Sequence, residues 1–358
     1  MREIESSERS SGCFMQAIQL SFIVCVAASL ILTPVVRKWA MKVGLYDIPK
    51  DERRVHKMPI PVSGGLAIFF AVVAGVLLFL PLDRANIAYL IGAAVVAFTG
   101  LYDDKFDMSP KAKFLFQILA GLILVLGGVR IEFFTNPFYG EDLLINLDFL
   151  AIPITVFWVV GITNTINLID GLDGLACGIS GIASISLMFV AYRFDQKEMA
   201  VLAAILAGSC LGFLPYNFNP AKIFMGDTGA LFLGFTLSYL SIQGVMKSIA
   251  LITIFIPVLI LGVPVFDTTF AMIRRKLSGK SIAEADRGHL HHRLLNRGLN
   301  QKQTVGSLYG ISILFGIVGN LVSNMHEKNG LITAIIIIAL VGILALFLGL
   351  LHERGEEN

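Results

Sequence analysis

The chain has 358 residues, of which 56% are hydrophobic and only 15% are charged. About a quarter of the residues of a soluble domain are charged, so this composition excludes an ordinary soluble globular protein. It indicates an integral membrane protein that crosses the bilayer many times. The formal net charge of +2 says little by itself, and we expect no nucleic-acid partner.

Apolar runs divide the chain into membrane-spanning helices, each of which needs about 20 mostly apolar residues. The sequence predicts an all-α polytopic domain over 15–351, between a polar N-terminal segment (1–14) and a short tail (352–358). Eleven spans are predicted, at 15–36, 64–82, 86–101, 113–131, 149–166, 175–192, 199–216, 229–245, 249–267, 304–322 and 331–351. Pro257 and Pro264 predict a break in the ninth helix.

The distribution of Lys and Arg predicts how the chain is oriented. Twenty of the 28 Lys and Arg residues fall on the side that holds Asp103, counting Lys113 at the membrane edge. Because cytoplasmic loops are rich in Lys and Arg, we expect that side and the C-terminus to be cytoplasmic and the N-terminus to be outside. The predicted cytoplasmic loops are 37–63, 102–113, 167–174, 217–228 and 268–303. Most outer loops are short, and 132–148 looks like an amphipathic or hairpin element.

Three carboxylates stand between two apolar runs, at Asp103, Asp104 and Asp107. An ionised Asp at the centre of a bilayer costs about 2.5–3.5 kcal/mol, so such residues usually sit at a helix end or mark a functional site. By itself the motif favours a functional site and a solvated interfacial loop about equally. The functional interpretation is the favoured one of the two because the other polar clusters fall on the same side of the membrane.

Two of those clusters are rich in Asn and Asp. Segment 167–174 contains Asp-Gly at 170 and at 173, which predicts a tight turn but also suits a nucleoside or a metal ion. Segment 217–228 ends with Asp227 at the start of the eighth span, where a simple helix cap is the alternative.

A histidine cluster follows the ninth span. His289, His291 and His292 stand beside Arg287 and Arg293, which predicts a cationic group of hydrogen-bond donors. Zinc is less favoured than phosphate because the spacing matches no closed structural zinc site.

Together these clusters place acidic groups and cations at one membrane surface. Carboxylates suit a hard divalent ion, and Mg²⁺ is commonly held by one or two of them together with substrate phosphates. Phosphoryl transfer requires mainly positioning and neutralisation of charge. The combination indicates phosphate chemistry on a lipid.

Four motifs, in this order, resemble the polyprenyl-phosphate N-acetylhexosamine-1-phosphate transferases. They are Tyr102-Asp103-Asp104, Asn167 to Gly174, Asn217 to Asp227, and His289-Leu290-His291-His292. The resemblance runs from about residue 30 to 310 and implies a bacterial inner-membrane enzyme with its active site on the cytoplasmic face. A homodimer is a further expectation from the family.

The resemblance also implies roles for single residues. Asp103 and Asp104 would lie near the lipid phosphate, with Asp103 as the suggested base, and Asp227 would bind Mg²⁺, for which Mn²⁺ could substitute. The residues implied to act on the diphosphate and sugar are His289, His291 and His292. The residues implied to contact the substrates are Lys57, Lys113, Asn167, Asp170, Asp173, Asn217, Phe224 and Arg293.

The histidine motif distinguishes two branches of the family. The phospho-MurNAc-pentapeptide branch has three consecutive His and then an acidic residue, whereas Leu290 interrupts the run here. The chain thus resembles the branch that transfers GlcNAc-1-phosphate from UDP-GlcNAc to undecaprenyl phosphate, the first membrane step of a cell-envelope glycopolymer. UDP-MurNAc-pentapeptide or UDP-GalNAc is an alternative donor. A secondary transporter is the alternative from another class, because transporters also place carboxylates in membranes and break helices.

Overall fold

The computed structural model describes residues 2–47, 59–135, 144–246, 254–279, 288–347 and 350. Most of these residues are helical, as the sequence predicts. The helices are α1 (Arg2–Lys42), α2 (Gly65–Phe79), α3 (Arg84–Phe106), α4 (Pro110–Leu126), α5 (Ala151–Ile169), α6 (Leu175–Arg193), α7 (Lys197–Asn217), α8 (Gly226–Ser241), α9 (Phe255–Ile260), α10 (Gly262–Leu277), α11 (Leu290–Asn296), α12 (Gln301–Ser323) and α13 (Glu327–Phe347).

The helices confirm the predicted fold class. Eight helical segments of the described chain are long and apolar enough to cross a membrane, and α2 is a shorter apolar helix. Each of the eleven predicted spans coincides with one helix, or with the pair α9 and α10 for the ninth. The orientation of the bundle in the membrane stays a prediction.

The predicted break in the ninth span lies at Leu261, between α9 and α10. Leu261 has φ −87° and ψ 23°, outside the helical range. Proline has no backbone N–H, so Pro264 cannot donate the helical hydrogen bond that would otherwise cross the break.

Short antiparallel strand pairs lie in two of the connections. β1 (Tyr46–Asp47) pairs with β2 (Ile60–Pro61), and β3 (Phe133–Thr135) pairs with β4 (Leu144–Asn146). The second pair confirms the hairpin interpretation of 132–148. A 3₁₀ turn (Asp148–Leu150) precedes α5, and a π-helical turn (Ile242–Met246) extends α8.

The helices extend further than the apolar runs predict, which corrects the bounds of the loops. Helix α3 continues to Phe106, so Asp103 and Asp104 are helical, and the predicted loop 268–303 contains the end of α10 and all of α11. The backbone of the polar segment 1–14 is helical from Arg2. Hydropathy detects the part of a helix in hydrocarbon, whereas its hydrogen bonds continue through charged turns at the interface.

Helix α8 is the centre of the bundle, and its hydrophobic span is buried along its entire length. Its first turn is packed tightly against α2 and α3. A Cβ atom at Gly65 would lie 2.1 Å from the Cα of Gly229, and one at Gly100 would lie 2.4 Å from the backbone of Asp227. Small residues permit such close approach of helices. The start of α8, which holds Asp227, is therefore fixed against two neighbouring helices.

Candidate active site

Most of the predicted site residues that the structure describes converge at one end of the bundle. The ends of α3 and α5, the starts of α4 and α8, and the loop 170–174 all lie there. Lys57 lies outside the described residues, so its predicted role stays a prediction.

Lys113 stands at the centre of this group. Its Nζ is 2.5 Å from Oδ2 of Asp103 and 2.7 Å from Oδ2 of Asp227. Asp103 is further engaged through Oδ1, which accepts a hydrogen bond from the backbone N–H of Met108 at 2.6 Å, and Asn167 hydrogen-bonds Asp227. The side chain of Asp227 is 28% exposed and that of Asp103 only 9%. Asp227 is therefore the more accessible carboxylate.

Asp104 has a different environment, because donors surround its carboxylate. It accepts hydrogen bonds from Ser63 Oγ at 2.7 Å, Thr228 Oγ1 at 2.6 Å and the backbone N–H of Asp227 at 2.8 Å. A negative group at the start of a helix satisfies its free N–H groups and complements its dipole. Asp104, and not Asp227, therefore caps the start of α8. The same bonds fix the position of Asp227.

Ser63 and Thr228 are two residues of the site for which no role is predicted from the sequence. Both hydroxyls are fully buried and both donate to Asp104. The one available signal was their position beside the glycines that bring α2 and α8 together, Gly64 and Gly229. That signal is weak because most buried Ser and Thr side chains bond to their own helix.

Asp173 and Asn217 hold two loops together. Oδ2 of Asp173 accepts hydrogen bonds from Asn219 Nδ2 and from the backbone N–H of Ala221, both at 3.0 Å. Asn217 is 3% exposed, accepts from the backbone N–H of Gly174 and donates to the carbonyl of Ile223, each at 3.1 Å. These bonds give both residues a positioning role, and their contact with substrate stays a prediction.

Asp170 adds a further carboxyl group to the site. It is half-buried, and among the described residues its carboxylate has no hydrogen-bonding partner. Burial and the nearby charges of Asp227, Asp104 and Asp173 raise the pKa of Asp170 well above its usual range. An arrangement of this kind favours a bound cation.

The histidine motif reaches the same end of the bundle through Asp267. Its Oδ1 accepts from the backbone N–H of Leu290 at 2.8 Å, and its Oδ2 lies 2.9 Å from Nδ1 of His289. Asp267 therefore holds the start of α11 and orients the ring of His289. A Cβ atom at Gly171 would lie 2.6 Å from Nε2 of His291, so this ring packs against the loop 170–174.

The prediction of a wholly cationic histidine cluster is wrong for His291. This side chain is 2% exposed, and burial, together with the charge of His292, lowers the pKa of His291 to about 4. His291 is thus neutral at pH 7. Its Nδ1 has no hydrogen-bonding partner among the described residues.

Arg293 and Phe224 bond to nearby backbone. Nε of Arg293 donates to the carbonyl of Gly288 at 2.9 Å. The backbone N–H of Phe224 donates to Pro61 at 2.8 Å, and its carbonyl accepts from Gly64 at 2.9 Å. The ring of Phe224 is half-buried. Their predicted substrate contacts stay predictions.

The carboxylates fit a magnesium ion that relies on its substrate for ligands. In the described part of the chain, no group of three or more His, Cys, Asp or Glu residues forms a metal cage. Mg²⁺ usually needs only one or two carboxylates when phosphates and water complete its shell. Asp227, which is accessible, and Asp170, whose carboxylate has no hydrogen-bonding partner in the described part of the chain, offer oxygen ligands of the required type.

An apolar groove of about 1070 Å³ lies between α3 and α4. Its wall includes the aromatic side chains Phe98, Tyr102, Phe106 and Phe116. Its polar end is formed by Asp107, Met108 and Ser109. Because Met108 bonds to Asp103, the groove leads from the membrane region of the bundle to the edge of the site.

The fold and the site define a polytopic helical membrane protein with an acidic, lysine-containing site at one end of its bundle. Residues 86–245 match the family model of glycosyl transferase family 4. That match includes Asp103, Lys113 and Asp227 but ends before the histidine motif.

Relatives similar over nearly the whole chain extend the comparison. A Bacillus subtilis protein named "probable undecaprenyl-phosphate N-acetylglucosaminyl 1-phosphate transferase" is 43% identical over 95% of this chain and 94% of its own. The decaprenyl-phosphate N-acetylglucosaminephosphotransferase of Mycobacterium tuberculosis is 32% identical over 98% and 93%. The phospho-N-acetylmuramoyl-pentapeptide-transferase of Chlamydia trachomatis is 32% identical over 84% and 95%. The chain belongs to this family of glycosyl transferases, which confirms the predicted resemblance and does not favour the transporter.

Proposed function

We propose that this protein transfers GlcNAc-1-phosphate from UDP-GlcNAc to undecaprenyl phosphate, releasing undecaprenyl-diphospho-GlcNAc and UMP. The single observation that carries the proposal is Lys113, whose amine lies between Asp103 and Asp227 at an end of the bundle. The Bacillus and Mycobacterium relatives are named for the same class of transfer. The active site would lie on the cytoplasmic face of a bacterial inner membrane. The transfer would be the first membrane step in the synthesis of a cell-envelope glycopolymer.

Lys113 is the group suited to receive the phosphates. Its charge is held by two carboxylates, so the ammonium is oriented before substrate arrives. Preorganised charge of this kind stabilises negative charge that develops in the transition state. Asp103 serves this arrangement by orienting the lysine.

The reaction exchanges one phosphoanhydride for another. An oxygen of the lipid phosphate attacks the β-phosphorus of UDP-GlcNAc, the bond to the bridging oxygen of UMP breaks, and UMP leaves with the electron pair. The second pKa of a phosphate monoester is about 6, so the lipid phosphate is already largely deprotonated at pH 7. Both oxygens of Asp103 are engaged, by Lys113 and by Met108, which favours direct attack over a step that needs Asp103 as base.

Asp227 would hold Mg²⁺ or, in its place, Mn²⁺, and Asp170, whose pKa is raised in part by the charge of Asp227, would be a second carboxylate available to the ion. When bound, the ion neutralises the diphosphate and stabilises UMP as leaving group. The chain's own contribution is to fix Asp227, because Asp104 binds the backbone N–H of that residue and Asn167 bonds its side chain. His289, oriented by Asp267, would donate a hydrogen bond to the diphosphate or sugar.

UMP release by the purified protein in detergent tests the proposal. Undecaprenyl phosphate and Mg²⁺ are supplied with UDP-GlcNAc, UDP-MurNAc-pentapeptide or UDP-GalNAc, and a chelator serves as control. We expect UMP release with UDP-GlcNAc and with neither of the other two donors, and we expect no release in the presence of the chelator. UMP from another donor would contradict the choice of sugar and retain the chemistry. No UMP from any donor would contradict the transferase itself.

A further inference from the structure

The loop 170–174 connects α5 with α6 and carries two carboxyl groups of the candidate site, those of Asp170 and Asp173. We name it the acidic loop. Two of its residues are glycines, Gly171 and Gly174. Because glycine adopts many backbone conformations, the sequence of the loop does not by itself fix where its carboxyl groups lie. Contacts from other parts of the chain are needed to hold them.

Tyr309 of α12 contacts the last residue of the acidic loop. Its hydroxyl donates a hydrogen bond to the carbonyl of Gly174 at 2.5 Å. The backbone N–H of Gly174 is held as well, because it donates to Asn217 of α7 at 3.1 Å. Gly174 has φ +78°, in the left-handed region that favours glycine. Both backbone polar groups of Gly174 are therefore bonded to other helices at the point where the loop ends.

The packing of α6 against α12 makes room for the side chain of Tyr309. A Cβ atom at Gly178 would overlap the hydroxyl oxygen of Tyr309, so the hydroxyl lies in a space that only glycine leaves open. The carbonyl of Gly174 also accepts the first hydrogen bond of α6, from the N–H of Gly178 at 2.9 Å. Since that bond already satisfies the carbonyl, the added bond from Tyr309 serves to tie the loop to α12.

Two further contacts join the same part of the chain to the acidic loop. Gln301, the first residue of α12, accepts a hydrogen bond from Asn219 at 2.6 Å, and Asn219 also donates to Asp173 at 3.0 Å. The ring of His291 on α11 packs against Gly171. Helices α11 and α12 thus act on the loop near its start, through Asn219, and at its end.

We propose that Tyr309 is a positioning residue for the transfer, because its hydroxyl fixes the acidic loop, and with it Asp170, before substrate binds. The inference rests on the proposed function, since it gives the loop a part in that reaction. Groups that are held in place in advance need no reorganisation when charge develops in the transition state. Tyr309 acts through the loop, and it lies beyond residues 86–245, which match the family model.

Tyr309→Phe removes the hydroxyl and keeps the ring. We would measure hydrogen–deuterium exchange by mass spectrometry on the purified full-length protein in detergent, without substrate or added metal. The amides of 171–178 should exchange roughly fivefold faster in this variant than in the wild type, the effect of losing one hydrogen bond. Tyr89→Phe is the matched control, because it removes a hydroxyl that bonds to Thr236 at 3.1 Å near the start of α3. Its exchange over 171–178 should match the wild type.

The kinetics of UMP release distinguish positioning from a general loss of stability. Tyr309→Phe should lower kcat roughly fivefold and raise the Mg²⁺ concentration for half-maximal rate, while KM for undecaprenyl phosphate stays the same. A smaller amount of folded protein would lower the apparent kcat without changing that Mg²⁺ concentration. Gln301→Ala, which removes the contact through Asn219, should reduce kcat further when it is combined with Tyr309→Phe. Tyr89→Phe should retain wild-type kinetics.

Three results would overturn the inference. They are exchange over 171–178 in Tyr309→Phe that equals the wild type, faster exchange that Tyr89→Phe shares, and faster exchange with unchanged kcat and Mg²⁺ dependence. Absence of UMP release by the wild type would contradict the proposed function instead. Exchange in the acidic loop needs no substrate, so it would still decide whether Tyr309 holds the loop.

Discussion

At the scale of single residues, the carboxylates of the site differ because their partners differ. Asp104 is saturated by donors from Ser63, Thr228 and the backbone of Asp227. Asp227 shares one oxygen with Lys113 and is the more exposed of the two acids that contact this lysine. The first is suited to hold the site together and the second to meet a ligand.

Asp227→Asn should impair the reaction without destabilising the protein. The amide keeps the size of the side chain but loses the charge that would attract Mg²⁺. We expect UMP release to fall roughly a hundredfold or more, as for loss of a preorganised electrostatic group, with little change in thermal stability. Wild-type turnover in this variant would refute the assignment of the metal to Asp227.

Asp104→Asn should instead lower the stability of the folded protein. An amide nitrogen would face the N–H and O–H donors of the first turn of α8, and at least one of them would lose its acceptor. Loss of a buried hydrogen bond to a charged group costs about 1–3 kcal/mol. Thermal unfolding in detergent should therefore shift to lower temperature. An unchanged transition would show that Asp104 does not hold α8.

His291 should make the stability of the protein depend on pH. The pKa of His291 is about 4 in the folded protein and about 6.5 in the unfolded chain, so the unfolded chain takes up the proton first as pH falls. The contribution of neutral His291 to the free energy of unfolding is therefore fully present above pH 6.5. It is lost between pH 6.5 and pH 4, where the free energy of unfolding falls by about 3 kcal/mol.

His291→Phe supplies the control for that pH dependence. It keeps an aromatic ring and removes the titration. The difference in unfolding temperature between pH 7.5 and pH 4.5 should be smaller in this variant than in the wild type. Equal differences in the two proteins would contradict a buried neutral His291.

At the scale of helices, the groove between α3 and α4 is the element most relevant to a lipid acceptor. It is lined by apolar and aromatic side chains, and its polar end adjoins Asp103. Ala94→Phe should narrow the groove and raise KM for undecaprenyl phosphate severalfold, while KM for UDP-GlcNAc stays the same. Leu115→Phe, on an exposed part of α4 outside the groove, is the matched control. An unchanged lipid KM in Ala94→Phe would exclude the groove as the path of the lipid.

The helices were predictable from the sequence, whereas their ends were not. Apolar runs placed all eleven spans, and the prolines 257 and 264 indicated the break at Leu261. The extension of α3 to Phe106 was missed because charged residues at an interface lower hydropathy without ending a helix.

The residues of the site could be predicted from sequence motifs, whereas the structural roles of several of them could not. The motifs identified Asp103, Asp104 and Asp227, but the sequence could not show that Asp104 caps α8 and that Lys113 bridges the other two. Both contacts join residues more than 100 positions apart, at 2.8 Å for Asp104 to the N–H of Asp227 and 2.7 Å for Lys113 to Asp227. Local patterns carry no information on such pairs.

At the scale of the whole molecule, the polar residues of the candidate site gather at one end of the bundle. The last turn of helix α3 holds Asp103 and Asp104, the first turn of α4 holds Lys113, and the first turn of α8 holds Asp227. A transferase that joins a soluble nucleotide sugar to a membrane lipid needs its chemistry at one surface only.

The most direct test of the central claim is the formation of undecaprenyl-diphospho-GlcNAc by the wild type and by the variants Lys113→Met, Lys113→Arg and Lys111→Met. Lys111 is an exposed lysine in the same turn of α4, so its variant controls for loss of charge at the membrane edge. We predict that Lys113→Met loses activity roughly a hundredfold, that Lys113→Arg recovers part of it, and that Lys111→Met matches the wild type. Full activity in a folded Lys113→Met protein would contradict a reaction centred on this lysine.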